Sequence, residues 1–172
     1  RRTVTLVTKA EEQLRGRFTD DAVLHLALML AIVADRVRGG NHLEVAEQTL
    51  NELVAMPIWA VADFITQRLL RESVDSWTEV ETAGIAMELL AAQRNEILPG
   101  ELAQNLVLEL DLGRIMAYMS DAFNIPKIKH DQILQNGLLN HILPACYRQR
   151  YALWSPEMST RVEFHEQSDL ET

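Results

Sequence analysis

Apolar residues recur at the three- and four-residue spacing of amphipathic helices along almost the whole chain, and no segment shows the two-residue alternation of a half-buried strand. Helix boundaries are marked as well. Residues 19–21 (Thr-Asp-Asp) supply an N-cap and first-turn acids, and residues 39–41 (Gly-Gly-Asn) suit a helix end. Residues 78–81 (Thr-Glu-Val-Glu) have the pattern of a capping box. The sequence therefore predicts an all-α fold.

The predicted helices differ in how much of their surface is apolar. Residues 22–38 are apolar nearly all the way round, which predicts a central and buried helix. The other helices carry a single apolar stripe each, and the Met and Phe stripe that ends before residue 124 is interpreted as core. The residues expected to face inward are Val4, Val7, Leu14, Val45, Leu50, Leu53, Ile58, Val61, Ile65, Leu69, Leu112, Ile115, Met116, Met119 and Phe123.

Composition limits the function classes. The chain of 172 residues has a net charge of −9, and it lacks the clustered basic face with which DNA readers bind phosphates. A single cysteine, Cys146, excludes an internal disulfide framework and favours a reducing compartment, so we expect a cytoplasmic protein. The longest apolar run, residues 22–34, is too short for a membrane span, which needs about 20 residues. A start without Met or a signal-like segment indicates a piece of a longer protein.

The chain contains a suggestive internal repeat with an offset of 112 residues. Its matched pairs are Thr19 with Asp131, Leu26 with Leu138, Leu30 with Ile142, Arg36 with Arg148, and Arg38 with Arg150. Pro99-Gly100 marks the best boundary, at residues 95–100. We therefore expect tandem helical bundles: residues 1–95, an incomplete second unit over residues 100–156, and a frayed or disordered tail over residues 157–172.

One predicted helix carries a proline beside a histidine. Pro144 has no N–H to donate to the carbonyl of Asn140, so the helix should bend next to His141. Arg148 lies two turns beyond His141, about 10 Å away by helical rise, and its side chain can lean back toward it. A nucleophile beside a free carbonyl and a cation suits a phosphate-handling site. The alternative interpretation is a histidine satisfied by a neighbouring carbonyl in a helix interface.

Three segments together resemble the PTS regulation domain (PRD), the sensory module of bacterial sugar-operon antiterminators and activators. Asp131 and the run LLNHILPACYR at residues 138–148 are similar to the phosphorylation-site helix of that family. Residues 20–36 resemble its earlier arginine-ending helix, and residues 78–90 its later acidic-to-apolar helix. The resemblance spans residues 3–156.

The resemblance implies tandem all-helical bundles that form homodimers. We expect no cofactor and no metal. The resemblance also implies that HPr or a sugar-specific enzyme II component transfers a phosphoryl group to His141, with Arg148 and Arg150 supporting the phosphate. Nucleic acid would be bound only by domains outside this chain. In the first unit the two usual histidine positions hold Met29 and Glu88, so that unit is degenerate. His25 is interpreted as a capped core histidine, and His42, His130 and His165 as exposed and incidental.

Three functions compete at this point. The first is a phosphorylation-sensing module, which is not an enzyme, and the second is a degenerate PRD pair that serves only as a dimerisation scaffold. The third is a helical-bundle metalloenzyme of the kind that uses Glu-x-x-His on paired helices. That spacing does not occur in the sequence, and we therefore expect no metal site.

Overall fold

The computed structural model describes residues 2–70, 77–96 and 106–153, and in these ranges the regular structure is helical, without strands. The all-α prediction is confirmed. One isolated antiparallel bridge joins Phe18 to Arg94, beside the chain segments that precede α2 and follow α5. The seven α-helices are α1 (Arg2–Leu14), α2 (Asp20–Arg38), α3 (Glu47–Val54), α4 (Ile58–Leu70), α5 (Glu79–Ala91), α6 (Leu106–Phe123) and α7 (Gln132–Arg150), with a 3₁₀ helix at Pro126–His130 before α7.

The predicted boundaries of α2 and the start of α7 are confirmed in atomic detail. The side chain of Thr19 accepts a hydrogen bond from the Ala22 amide at 3.3 Å, and that of Asp131 accepts one from the Leu134 amide at 3.0 Å. Each caps a backbone donor that has no partner inside its helix. Gly40 follows α2 with φ of +73°, in the left-handed region that glycine tolerates without strain.

Helix α5 lies at the centre of the core. Nine of its thirteen residues are buried, and it packs against α2, α3, α4 and α7. The stripe predicted on α4 faces this core, since Ile58, Val61, Ile65 and Leu69 are all buried. Burying such a side chain stabilises a fold by about 1.5–3 kcal/mol, so α4 and α5 hold much of the apolar packing of the first half.

Two predicted core helices are less buried than expected. Helix α2 is not buried all round, because Leu24, Leu28 and Ile32 are 64%, 57% and 47% exposed. On α6, Leu112 and Met116 are buried, but Ile115 and Phe123 are exposed. Among the remaining expected core residues, Val4 is exposed and Val45, Leu50 and Met119 are only partly buried. The periodicity identified apolar faces correctly, yet part of each face is exposed.

The two halves of the chain share one apolar core. Leu139, Leu143 and Tyr147 of α7 and Leu112 of α6 belong to the same buried cluster as the residues of α1 to α5. The division into residues 1–95 and 100–156 stays a prediction. Residues 97–100 of the expected boundary and the expected tail, residues 157–172, lie outside the described residues. None of the described helices combines the length and the apolar character that crossing a bilayer requires.

Candidate functional site

His141 is exposed on the surface of α7. Leu139 and Leu143, on the opposite face of the helix, are buried, and so are Pro144 and Tyr147. The helix runs without interruption through Pro144 to Arg150. The bend expected at the proline stays a prediction, whereas the exposure of His141 disagrees with a histidine inside a helix interface. A reagent approaching α7 from solvent therefore meets the imidazole.

The two arginines expected to support phosphate both have partners in the described structure. Arg148 is partly buried and donates a hydrogen bond to the carbonyl oxygen of Ala91, the last residue of α5, at 2.6 Å. Arg150 pairs with the carboxylate of Glu52 on α3. Their role in phosphate binding stays a prediction, and each guanidinium already donates one hydrogen bond within the described structure.

Asn140 connects the same helix to the end of the first half. Its Nδ2 donates to the carbonyl oxygen of Asn95 at 2.8 Å, while its Oδ1 is buried and has no hydrogen-bond partner among the described residues. With the Arg148 contact, it ties α7 at two points, about two turns apart, to the segment at and just after the end of α5. His141 therefore lies beside a well-anchored stretch of backbone.

The two positions of the first half that the PRD resemblance aligns with family histidines lie together in space. Met29 of α2 and Glu88 of α5 line one narrow cavity of about 10 Å³, otherwise walled by apolar side chains. Such a volume is close to the smallest that holds one water molecule. The resemblance to the PRD therefore selects two positions, 59 residues apart in sequence, that the fold brings to a single place.

Glu88 faces a histidine rather than open solvent. Its side chain is only 14% exposed, and its Oε2 lies 3.5 Å from Nε2 of His25. Burial raises the pKa of Glu88 above the ordinary value of 4.5, and the nearby His25 lowers it part of the way back. Glu88 is thus a largely buried carboxyl group that faces a histidine.

Sequence reasoning missed a charged cluster around Glu81. The capping box is wrong: Thr78 is the N-cap of α5 but makes no side-chain cap hydrogen bond. The Glu81 side chain is completely buried, and both terminal nitrogens of Arg36 donate to it. It also accepts from the Leu43 amide at 3.0 Å and lies 3.3 Å from Nδ1 of His42.

His42 is therefore not incidental, although it is exposed as expected. The sequence signal that could have revealed the cluster is Arg36, which the repeat aligns with Arg148. A guanidinium on a helix that packs against others needs a hydrogen-bond acceptor nearby. The cluster can orient an imidazole and hold a negative charge close to it. In the part of the chain that the structure describes, no group of three or more metal-binding side chains comes together.

Comparison with known proteins identifies no relative that could assign a role to these residues. No family model matches the chain, and neither a curated protein nor a solved structure matches it.

Proposed function

We propose that this chain is a phosphorylation-sensing module of a PTS-controlled transcriptional regulator, which receives a phosphoryl group on His141 and changes its dimer state in response. The observation that carries the proposal is the exposure of His141 on a helix whose opposite face is buried. A phosphocarrier must reach a ring nitrogen, and this arrangement allows it. The donor, HPr or an enzyme II component, follows from the resemblance of residues 131–148 to the PRD.

The chemistry is a transfer between two imidazoles. A ring nitrogen of His141 attacks the phosphorus of the donor's phosphohistidine in line, so that one N–P bond forms as the other breaks. The negative charge on the phosphoryl oxygens favours a neighbouring guanidinium, and Arg148 lies two turns along the same helix. Moving Arg148 from the Ala91 carbonyl to the phosphoryl group would release the end of α5. The proposal thus connects modification of α7 to the central helix.

The dimer is supported by exposed apolar surface. Leu24, Leu28 and Ile32 follow one another at four-residue spacing on α2, so they form a stripe along a single face. Exposed contiguous apolar surface commonly marks a protein–protein contact. A homodimer in the cytoplasm, with nucleic acid bound by domains outside this chain, is the corresponding functional unit.

The dimerisation scaffold is the second candidate, and a specific observation favours it. Arg148 and Arg150 are both engaged, with the Ala91 carbonyl and with Glu52, and the first half has Met29 and Glu88 where the family places histidines. A scaffold needs the apolar stripe of α2 but no reactive imidazole. It therefore predicts a dimer whose association does not respond to phosphoryl donors.

The test uses the full chain with enzyme I, HPr and labelled phosphoenolpyruvate, and mass spectrometry localises the acid-labile label. The wild type should carry label at His141, and His141→Ala should carry none on α7. His130→Ala is the matched control, because His130 is also exposed and lies just before the same helix. His141→Asp should shift the dimer equilibrium measured by light scattering. A dimer that takes up no label at His141 identifies the scaffold.

A further inference from the structure

His42 lies in the segment 41–46, between the end of α2 and the start of α3, and only one side of its ring is engaged. Nδ1 lies 3.3 Å from Oε1 of Glu81, whereas Nε2 makes no hydrogen bond within the described residues. The side chain is 37% exposed. Because a carboxylate can only accept, this contact places a proton on Nδ1, and in the neutral imidazole the lone pair is then on Nε2.

The carboxylate that holds His42 is itself fixed. Glu81 is completely buried, receives two hydrogen bonds from Arg36 and accepts the Leu43 amide. Arg36 is anchored in turn, because its Nη1 donates to the carbonyl oxygen of Asn41 at 3.0 Å. The imidazole is therefore oriented by a partner that cannot rotate away, and a guanidinium shares that partner.

The other histidines of the described chain lack this combination. His130 and His141 are exposed, but neither makes a hydrogen bond to a carboxylate. His25 faces Glu88 at 3.5 Å, but its side chain is only 20% exposed and no arginine pairs with Glu88. Exposure, a fixed carboxylate and an adjacent guanidinium coincide at His42 alone among the four described histidines.

We infer that His42 is a second phosphoryl acceptor, modified at Nε2. The inference rests on the proposed function for its donor, the phosphohistidine of a phosphocarrier. The Nε2 lone pair attacks phosphorus, the N–P bond of the donor breaks, and the donor imidazole leaves with that electron pair. No proton has to move, because His42 keeps its hydrogen on Nδ1 and its ring becomes positively charged. The carboxylate of Glu81 stabilises that charge as it develops.

The modification would restore a switch to the first half, in which Met29 and Glu88 occupy the expected histidine positions. The phosphoryl group adds negative charge and strong acceptor oxygens next to the Arg36–Glu81 pair. Arg36 is then drawn to two anions. The Leu43 amide, which Glu81 now accepts, reports any loosening of the segment by faster hydrogen exchange.

The first experiment uses potassium phosphoramidate, a small phosphoryl donor that needs no protein recognition. In the wild-type chain, His42 should be labelled about tenfold faster than His130, which is exposed without a carboxylate partner. His42→Gln confirms the site assignment, and Glu81→Gln should reduce labelling of residue 42 without changing that of residue 130. Equal rates at the two histidines in the wild type overturn the inference, and this comparison does not depend on whether a variant folds.

The second experiment uses phosphorylated HPr and separates this inference from the proposed function. Label on both His42 and His141 supports both. Label on His141 alone overturns the inference and leaves the proposed function in place. Label on His42 alone supports the inference and shows that the proposed function names the wrong residue, and label on neither overturns both.

Discussion

Two arginines that the internal repeat aligns, Arg36 and Arg148, both hold helix α5, but at opposite ends and through different partners. Arg36 binds the buried carboxylate of Glu81 in the first turn, and Arg148 donates to the carbonyl of Ala91 at the last residue. The two partners are about 15 Å apart by helical rise. An acid near the start and a cation near the end both suit the helix dipole. The two aligned arginines thus both bind α5, Arg36 through a charge pair and Arg148 through one hydrogen bond to a carbonyl oxygen.

Helices α4 and α5 also differ from the second half in how completely their apolar residues are covered. No large apolar side chain described on α4 or α5 is exposed, whereas the segment from α6 to the start of α7 leaves five large apolar side chains at least 48% exposed. These five are Ile115, Tyr118, Phe123, Ile125 and Ile133. The first half therefore carries most of the core, and the second half is attached to it mainly through the buried face of α7 and the Arg148 contact.

The largest expected effect comes from breaking the buried charge pair. Arg36→Met should lower the free energy of unfolding by about 3–5 kcal/mol, because it leaves the Glu81 carboxylate buried without its cation. Urea denaturation measures the change. The double variant Arg36→Met/Glu81→Leu should recover much of the loss, since replacing both partners removes the buried charge. Arg38→Met is the control, because its contact with Asp35 is exposed and worth about 0–1 kcal/mol.

The corresponding change in the second half should cost less. Arg148→Met removes a charged hydrogen bond to a carbonyl, which is worth about 1.5–3 kcal/mol. Arg150→Met, two residues on, breaks a largely exposed pair with Glu52 and should cost about 0–1 kcal/mol. If Arg148→Met lowers the free energy of unfolding as much as Arg36→Met does in the same urea measurements, the proposed difference between the Arg148–Ala91 and Arg36–Glu81 contacts is wrong.

A pH-dependent effect is expected at Glu88, beside Met29 in the first half. Burial raises the pKa of Glu88 above 4.5, so the native state binds this proton more tightly than the unfolded state does. Its contribution to stability is present below pH 4.5 and is lost as the pH rises through the native pKa. The glutamine in Glu88→Gln carries no charge at any pH. The free energy of unfolding of this variant should therefore rise relative to that of the wild type as the pH increases from about 4 to about 7.

The measurement for Glu88 is the difference in free energy of unfolding between variant and wild type at a series of pH values. Glu79→Gln, an exposed position on the same helix, is the control. A difference that does not change with pH would show that His25, which lies 3.5 Å away, compensates the buried carboxylate completely.

The sequence correctly predicted features that depend on residues close together in the chain, such as helix caps. It did not predict the burial of side chains that depends on residues far away in the chain. Thr19 and Asp131 cap the amides three positions along, so their role can be read locally. The burial of Glu81 depends on Arg36, 45 residues earlier, and no local pattern distinguishes it from a capping glutamate. Likewise, the periodicity of α2 shows that Leu24, Leu28 and Ile32 form one face, but not whether another element covers it. The proximity of Met29 and Glu88 was accessible only through the family pattern.

The smallest expected effect on stability is at the proposed phosphorylation site. His141→Ala should change the free energy of unfolding by less than about 0.5 kcal/mol, because the side chain is exposed and alanine suits a helix well. Leu143→Ala, two residues along on the buried face, is the contrasting variant and should cost about 2–5 kcal/mol. A histidine held in a helix interface would instead cost about 1–3 kcal/mol when replaced, through lost contacts and unpaired partners. A loss of that size at His141 would mean that the imidazole is engaged in packing, and it would remove the exposure on which phosphoryl transfer to α7 depends.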